Sequence, residues 1–317
     1  HKEYRRQRQM CIRDRLVPVL FVAVSVYAVF FKVPESTSRT GAKIDVVGFI
    51  GIGLAMVVLL FGLRLASTDG FASAATIATL AAAVVIFVLW VLWELRVTSP
   101  AIDVRLIVSP RLGPVYLTAF LFGMVMFGAQ APSTTFLTAD PDTAGYGFAA
   151  SAGTASAVTA VVTILATVGA ATFAPIARRI GIRAVLVTGA VLAASGSLIQ
   201  IAFHDELWQI FVISAINGIG MGFLLGALPA LVAELAPSDS TGIATGVYNS
   251  LRTLGGSAAG AVFAVLLAGF TASGSLSSSI GGYITIWSVC AGAFIVAALA
   301  LAFMRMPHET DTSLTKG

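Results

Sequence analysis

One arginine, Arg252, stands inside a long apolar stretch, with hydroxyl and amide side chains at helical spacing around it. Thr245, Asn249, Arg252, Gly256 and Gly260 are separated by four, three, four and four residues, which puts them on one face of a helix. Counting from Gly242, the arginine lies about ten residues into its stretch, or ~15 Å at 1.5 Å per residue. That is near the middle of a ~30 Å hydrocarbon core, where insertion scales charge an arginine about 2.5–3.5 kcal/mol. Thr245, Asn249 and Arg252 are therefore expected to form a buried polar face, turned into a helix bundle and away from lipid. Two chemistries fit it. One is a packing arginine that ties helices together through carbonyls, Asn249 or water. The other is a fixed charge that binds substrate or tunes a proton-carrying carboxylate. Gln130 and Asn217 are amides in equally apolar surroundings, and they need partners too.

Catalysis finds little support. The three histidines, His1, His204 and His308, lie outside every apolar stretch. There is no His-Glu-x-x-His pair, no Gly-x-Ser-x-Gly elbow and no Walker-type phosphate loop. The two cysteines, Cys11 and Cys290, belong to no metal or redox motif. No enzyme activity, metal, cofactor or nucleic-acid partner is expected. All fifteen acidic residues lie in connectors, tails or stretch ends, with Asp45, Glu94 and Glu234 the most interior. A proton-coupled transporter needs a protonatable group facing its cavity, so any such carboxylate is expected elsewhere in the protein.

The elements that position these residues are long apolar runs. Mean hydropathy is +0.93, 57% of residues are hydrophobic and 11% are charged, against about a quarter charged in soluble domains. Hydrocarbon leaves a backbone no external hydrogen-bond partner, and runs of ~20 residues without period-two alternation favour helices over barrel strands. The fold class is all-α: a polytopic membrane bundle of about nine transmembrane helices, at 16–33, 45–64, 71–93, 112–137, 148–174, 184–203, 207–231, 243–270 and 281–304. Gly218, Gly222 and Gly226, and again Gly256 and Gly260, repeat every four residues and offer flat faces for helix packing.

Lys and Arg stay on the cytoplasmic side. Alternate connectors hold eleven basic residues (among them Arg178, Arg179 and Arg183), whereas the opposite set holds only Arg64. The C-terminus is thus expected in the cytoplasm. Residues 1–15 break the pattern, since nine spans put them outside with six basic residues. Either a span is miscounted, or 1–15 is a non-native leader; the string Gln9 to Arg15 looks like translated adaptor sequence.

From Ile216 to Leu267 the chain resembles the major facilitator superfamily, in particular its fourteen-span drug:proton antiporters of QacA/EmrB type. The matching strings are Asn217-Gly218-Ile219-Gly220-Met221-Gly222, Thr241-Gly242-Ile243-Ala244-Thr245-Gly246 and Asn249-Ser250-Leu251-Arg252-Thr253-Leu254-Gly255-Gly256. Asp45-Val46-Val47-Gly48 and Pro100-Ala101-Ile102-Asp103-Val104-Arg105-Leu106 resemble the group's first inserted helix and the entry to its C-terminal half. The loop Ala174 to Arg183 resembles the superfamily's cytoplasmic gate motif, with Arg178 where the acidic residue would stand. A positive-inside anchor is the plainer reading of its arginines.

The resemblance implies a C-terminal part of a major facilitator fold, as a fragment whose N-terminal half is mostly absent. On that reading 16–33 is the last helix of the N-terminal half, 34–111 holds two inserted helices, 112–304 is a six-helix transporter half built as two inverted three-helix repeats, and 305–317 is a cytoplasmic tail. The implied function is proton-coupled multidrug efflux in the bacterial inner (cell) membrane. Its partners would be lipid, a small amphipathic substrate, protons and the missing half. The alternatives are a metabolite exporter, such as one for a sugar or amino acid, or a non-transport protein of the same fold. Spans 112–137 and 207–231 would line the cavity with Met124, Phe127 and Gln130, and with Asn217 and Met221. Met and Phe adapt to varied apolar ligands, and aromatic faces attract lipophilic cations.

Overall fold

The computed structural model describes residues 19, 22–28, 30–31, 45–70, 72–97, 100, 104, 109–236, 241–271 and 277–304. The expected leader 1–15, most of the span 16–33, the turn at Pro237-Ser238-Asp239, most of the Pro100–Leu106 string and the tail 305–317 lie outside them. The chain divides into two units, His1–Lys43 and Ile44–Gly317. In the first, the described residues 22–28, 30 and 31 are helical and exposed.

The second unit is all helical among its described residues. Its elements are α1 (Val46–Asp69), α2 (Ala74–Glu94), α3 (Gly113–Gly123), a π-helical turn (Met124–Gly128), α4 (Gln130–Thr138), α5 (Pro141–Ala144), α6 (Ala152–Ile180), α7 (Ile182–Ala202), α8 (Leu207–Leu235), α9 (Thr241–Gly269) and α10 (Ile280–Ala302). Eight helical segments are long and apolar enough to cross a bilayer, with α3 to α4 counted as one from Gly113 to Thr138. They coincide with the last eight expected spans.

Local chemistry sets the ends. Asp45 caps α1 by accepting from the Gly48 amide at 2.8 Å, and Ser151 caps α6 by accepting from Thr154 N at 3.2 Å. Glu206 and Gln209 form a capping box at the start of α8. Gly181, at φ 86°, is the single residue between α6 and α7, a backbone state open to glycine and costly for other residues. Arg183 reaches from the start of α7 and donates Nε to Leu301 O at 3.1 Å, satisfying a carbonyl in the last turn of α10. Arg178 and Arg179 are exposed in the last turn of α6, where cations complement the helix dipole.

Packing pairs the helices in an exchanged pattern. α3 lies on α9 and α10, while α8 lies on α6 and α7, and α7 lies on α10. The first helix of each triplet (α3–α4, α6, α7 and α8, α9, α10) therefore packs on the second and third of the other. α1 and α2 form a hairpin, tied by Trp90 Nε1 donating to Gly48 O at 2.9 Å, and α1 also packs against α9. Glycines allow the closest crossings. A methyl at Gly123 would collide with the Arg252 carbonyl, and one at Gly255 with the Phe120 carbonyl.

Gly218, Gly222 and Gly226 all face α6. A methyl at Gly218 would lie 2.8 Å from Val162 O, one at Gly222 would strike the Ala166 carbonyl, and one at Gly226 would lie 3.0 Å from Ala170 O. At Gly256 it would lie 2.6 Å from Phe127 Cβ. Gly260 departs from the expectation, because a methyl there meets nothing within 4 Å. Its backbone nitrogen, not its Cα face, is what approaches Gly128.

Candidate functional site

The span from Gly113 to Thr138 is not a continuous α-helix. At its centre Met124–Gly128 takes a π-helical turn, followed by a turn at Ala129 before α4 resumes. Pro132 explains the break locally. It has no N–H, and its ring would clash with the carbonyl of Gly128, four residues back, in a regular α-helix. A widened turn relieves that clash, and such π-turns recur at functional positions.

Arg252 lies across this turn. Its guanidinium carbon is 5.9 Å from the ring centroid of Phe127 and 5.5 Å from that of Tyr248, one helical turn before it on α9. Both distances suit cation–π attraction, worth ~0.5–2 kcal/mol each according to exposure. Among the described residues Arg252 forms no ion pair, and its buried Nε has no hydrogen-bond partner. The Tyr248 hydroxyl is likewise buried, on a side chain 1% exposed, and the group it interacts with is the Arg252 guanidinium. Tyr116 Oη donates to Ala244 O at 3.3 Å and fastens α3 to α9 beside them.

The expected buried face on α9 is rotated from where its spacing put it. Thr245 is half-buried and returns its hydroxyl to Thr241 O at 2.9 Å. Arg252 is half-buried, and Asn249 is exposed. The stripe that packs is Ala244, Val247, Tyr248, Gly255, Gly256, Ala259 and Phe263, about one residue around the helix, because α3 selects the side with the two-glycine groove. Asn249 instead heads an exposed polar line with Thr253 and Ser257.

Of the cavity candidates, Met124 is half-buried, Phe127 is 41% exposed and Gln130 is exposed, all around the π-turn. Met221 is half-buried against the main apolar core. Asn217 does not join them. A methyl at Gly196 would lie 2.6 Å from Asn217 Oδ1, so the amide is wedged against α7, where Oδ1 is buried without a hydrogen bond among the described residues. Thr159, Thr163 and Thr167 are a feature that hydropathy conceals. They line the exposed side of α6, with each hydroxyl returned to the carbonyl four residues back at 2.9–3.1 Å. The repeat of hydroxyls every four residues was visible in the sequence. α4, which begins at Gln130, contacts both α6 and α9.

The described acidic residues remain at helix ends or in connectors: Asp45 caps α1, Glu94 ends α2 and Glu234 is in the last turn of α8. At the end opposite Arg183, Phe136, Tyr146, Tyr283, Trp287 and His204 pack together. Tyr146 Oη donates to Ser278 O at 2.6 Å. Burial, then the neighbouring Tyr283 phenol, push the Tyr146 hydroxyl above the ordinary tyrosine range, so it stays a donor.

The broken central span, the exchanged helix triplets and the eight membrane-length helices describe an all-α membrane bundle, and the family follows from comparison. The model of the Major Facilitator Superfamily matches residues 16–260 and, in a second alignment, 134–316. The chain belongs to this superfamily. It is an integral membrane protein. Among its superfamily relatives, the quinolone resistance protein NorB of Staphylococcus aureus (strain MRSA252) is 26% identical over 318 residues, covering 95% of this chain and 64% of NorB. The D-xylose transporter of Levilactobacillus brevis is 30% identical over 147 residues, covering 46% of this chain and 29% of that protein. The chain thus spans less than two thirds of the length of either. A crystal structure of the nucleoside transporter NupG (D323A mutant) shares the fold, with a TM-score of 0.52 and 16% identity over 84% of this chain and 69% of the other.

Proposed function

We propose that the protein is a secondary active transporter exporting amphipathic compounds in exchange for protons, as a fourteen-span drug antiporter of the bacterial cell membrane. The observation that carries this reading is the π-turn at mid-span. There Met124 and Phe127, adaptable apolar surfaces, meet a fixed cation beside the polar lines of α6 and α9. Discontinuous helices at mid-membrane are a recurring device for substrate sites in transporters. Similarity to a quinolone resistance protein along 95% of the chain supports the drug-export direction. In this assignment α1 and α2 are the inserted pair, residues 112–304 form the C-terminal half, and the titrating carboxylate lies outside the described spans.

Inside-out vesicles carrying the intact gene product test it. An imposed acid-inside gradient is expected to drive accumulation of a fluorescent amphiphile, and a protonophore to abolish it. Absence of amphiphile uptake, with gradient-dependent D-xylose uptake instead, would favour a sugar transporter, the reading that similarity to the D-xylose protein supports. Orientation has its own test. Single cysteines at Asp140 and Asp205, in the acidic connectors, are expected to react with an impermeant maleimide added outside intact cells, and one at Arg179 to stay unlabelled. Labelling at position 179 would reverse the orientation.

A further inference from the structure

We infer that the Arg252–Tyr248 pair is a subsite for the carboxylate of an aromatic substrate, so that the transporter selects acidic or zwitterionic amphiphiles over simple lipophilic cations. This rests on the transport reading above and names its substrate class. Two donors carry the argument. Arg252 Nε and Tyr248 Oη are both buried and neither has an acceptor among the described residues; they lie one helical turn apart on α9, and the hydroxyl interacts with the guanidinium, itself only a donor. Buried donors left unmatched are destabilising, and more so when charged. Their chemistry asks for a single acceptor of negative charge, and the guanidinium fork matches a planar carboxylate.

The surroundings fix the rest of the ligand. The Phe127 ring, 41% exposed, lies beside the guanidinium on the open side, with exposed Gln130 and Asn249 near it in sequence and on the same two helices. An aromatic ring stacked on Phe127 can hold its carboxylate toward Arg252. A cationic ligand would instead meet an uncompensated positive charge in a medium of reduced dielectric. The aromatic faces alone would admit a lipophilic cation, and the arginine decides against it.

A matched probe series isolates the charge: 2-naphthoate, neutral 2-naphthamide and 2-naphthylmethylammonium share one ring system. Binding of each to the intact gene product in lipid nanodiscs is measured by titration calorimetry. The wild type is expected to bind 2-naphthoate at least tenfold more tightly than 2-naphthamide. Arg252→Gln is expected to erase that preference, Arg252→Lys to keep part of it, and Tyr248→Phe to weaken 2-naphthoate alone by a few fold. The ammonium probe is expected to bind Arg252→Gln as well as the wild type or better. Equal binding of 2-naphthoate by wild type and Arg252→Gln overturns the assignment, and would mean that the arginine is paired within the protein. Equal weakening of all three probes also overturns it and makes Arg252 a packing strut. If the wild type binds no probe yet accumulates amphiphiles in vesicles, the carboxylate subsite fails and transport stands. If vesicle uptake fails while 2-naphthoate binds, the transport reading fails and the subsite remains.

Discussion

Gly123→Ala is expected to unseat α3 from α9 and to cost the bundle more than an ordinary buried substitution. The added methyl would collide with the Arg252 carbonyl, and a backbone carbonyl in mid-helix has no rotamer to escape into. Overpacking of this kind costs about 1–3 kcal/mol or more. Because α9 carries Tyr248 and Arg252 on the same contact, the shift would also displace the candidate site. Gly255→Ala tests the crossing from the other side, since its methyl would strike the Phe120 carbonyl. The buried thiol of Cys290 in α10 reports the outcome. In a Cys11→Ser background, its reaction with a fluorogenic maleimide during heating marks unfolding. Gly123→Ala and Gly255→Ala are expected to expose the thiol at clearly lower temperature than the parent, whereas Gly246→Ala and Gly260→Ala, which meet nothing within 4 Å, are expected to match it. If Gly123→Ala melts with the parent, the close α3–α9 crossing is wrong.

These glycines mark the boundary of what could be read from residues alone. The spans were legible because hydrophobic length is a one-dimensional signal, and the eight described helices fall where it put them. The four-residue glycine repeat in α8 found a helix contact, since every member of it meets α6. The same rule failed at Gly260, because spacing does not say which side of a helix a neighbour occupies. Asn217 shows the same limit. In the sequence its amide reads as a cavity group, yet α8 is packed on both sides, and the residue falls on the side of α7. The rotation of α9 that exposes Asn249 is decided by the pairing of Gly255 and Gly123, which are 132 positions apart in sequence. The π-turn carried only a weak trace, a proline four residues after Gly128, and helical periodicity has no term for a local change of pitch.

The cluster at the end opposite Arg183 illustrates why long-range assembly escaped notice, and it yields the other large expected effect. Phe136, from the end of α4, lies 5.7 Å from the Tyr146 ring, 5.9 Å from Phe148, 5.5 Å from Tyr283, 5.1 Å from Trp287 and 6.2 Å from His204. These rings come from α4, the loop before α6, the connector after α7, and α10, so no window of sequence contains them together. Phe136 is 1% exposed. Its removal to alanine is expected to cost about 3–5 kcal/mol for the cavity and lost burial, with each aromatic pair adding up to ~0.5–1.5 kcal/mol. Tyr146 holds the connector before α10 through Ser278 O, and Tyr283 reaches Thr135 Oγ1 at 3.2 Å, so the loss would loosen the broken span at its far end. Phe136→Leu keeps most of the apolar volume and is expected to recover over half of the stability, but not the ring contacts. The Cys290 thiol assay again gives the ordering, wild type above Phe136→Leu above Phe136→Ala. Limited proteolysis of the 139–151 connector is expected to accelerate in the same order. Equal melting of Phe136→Ala and the parent would mean that the cluster does not hold this end of the bundle together.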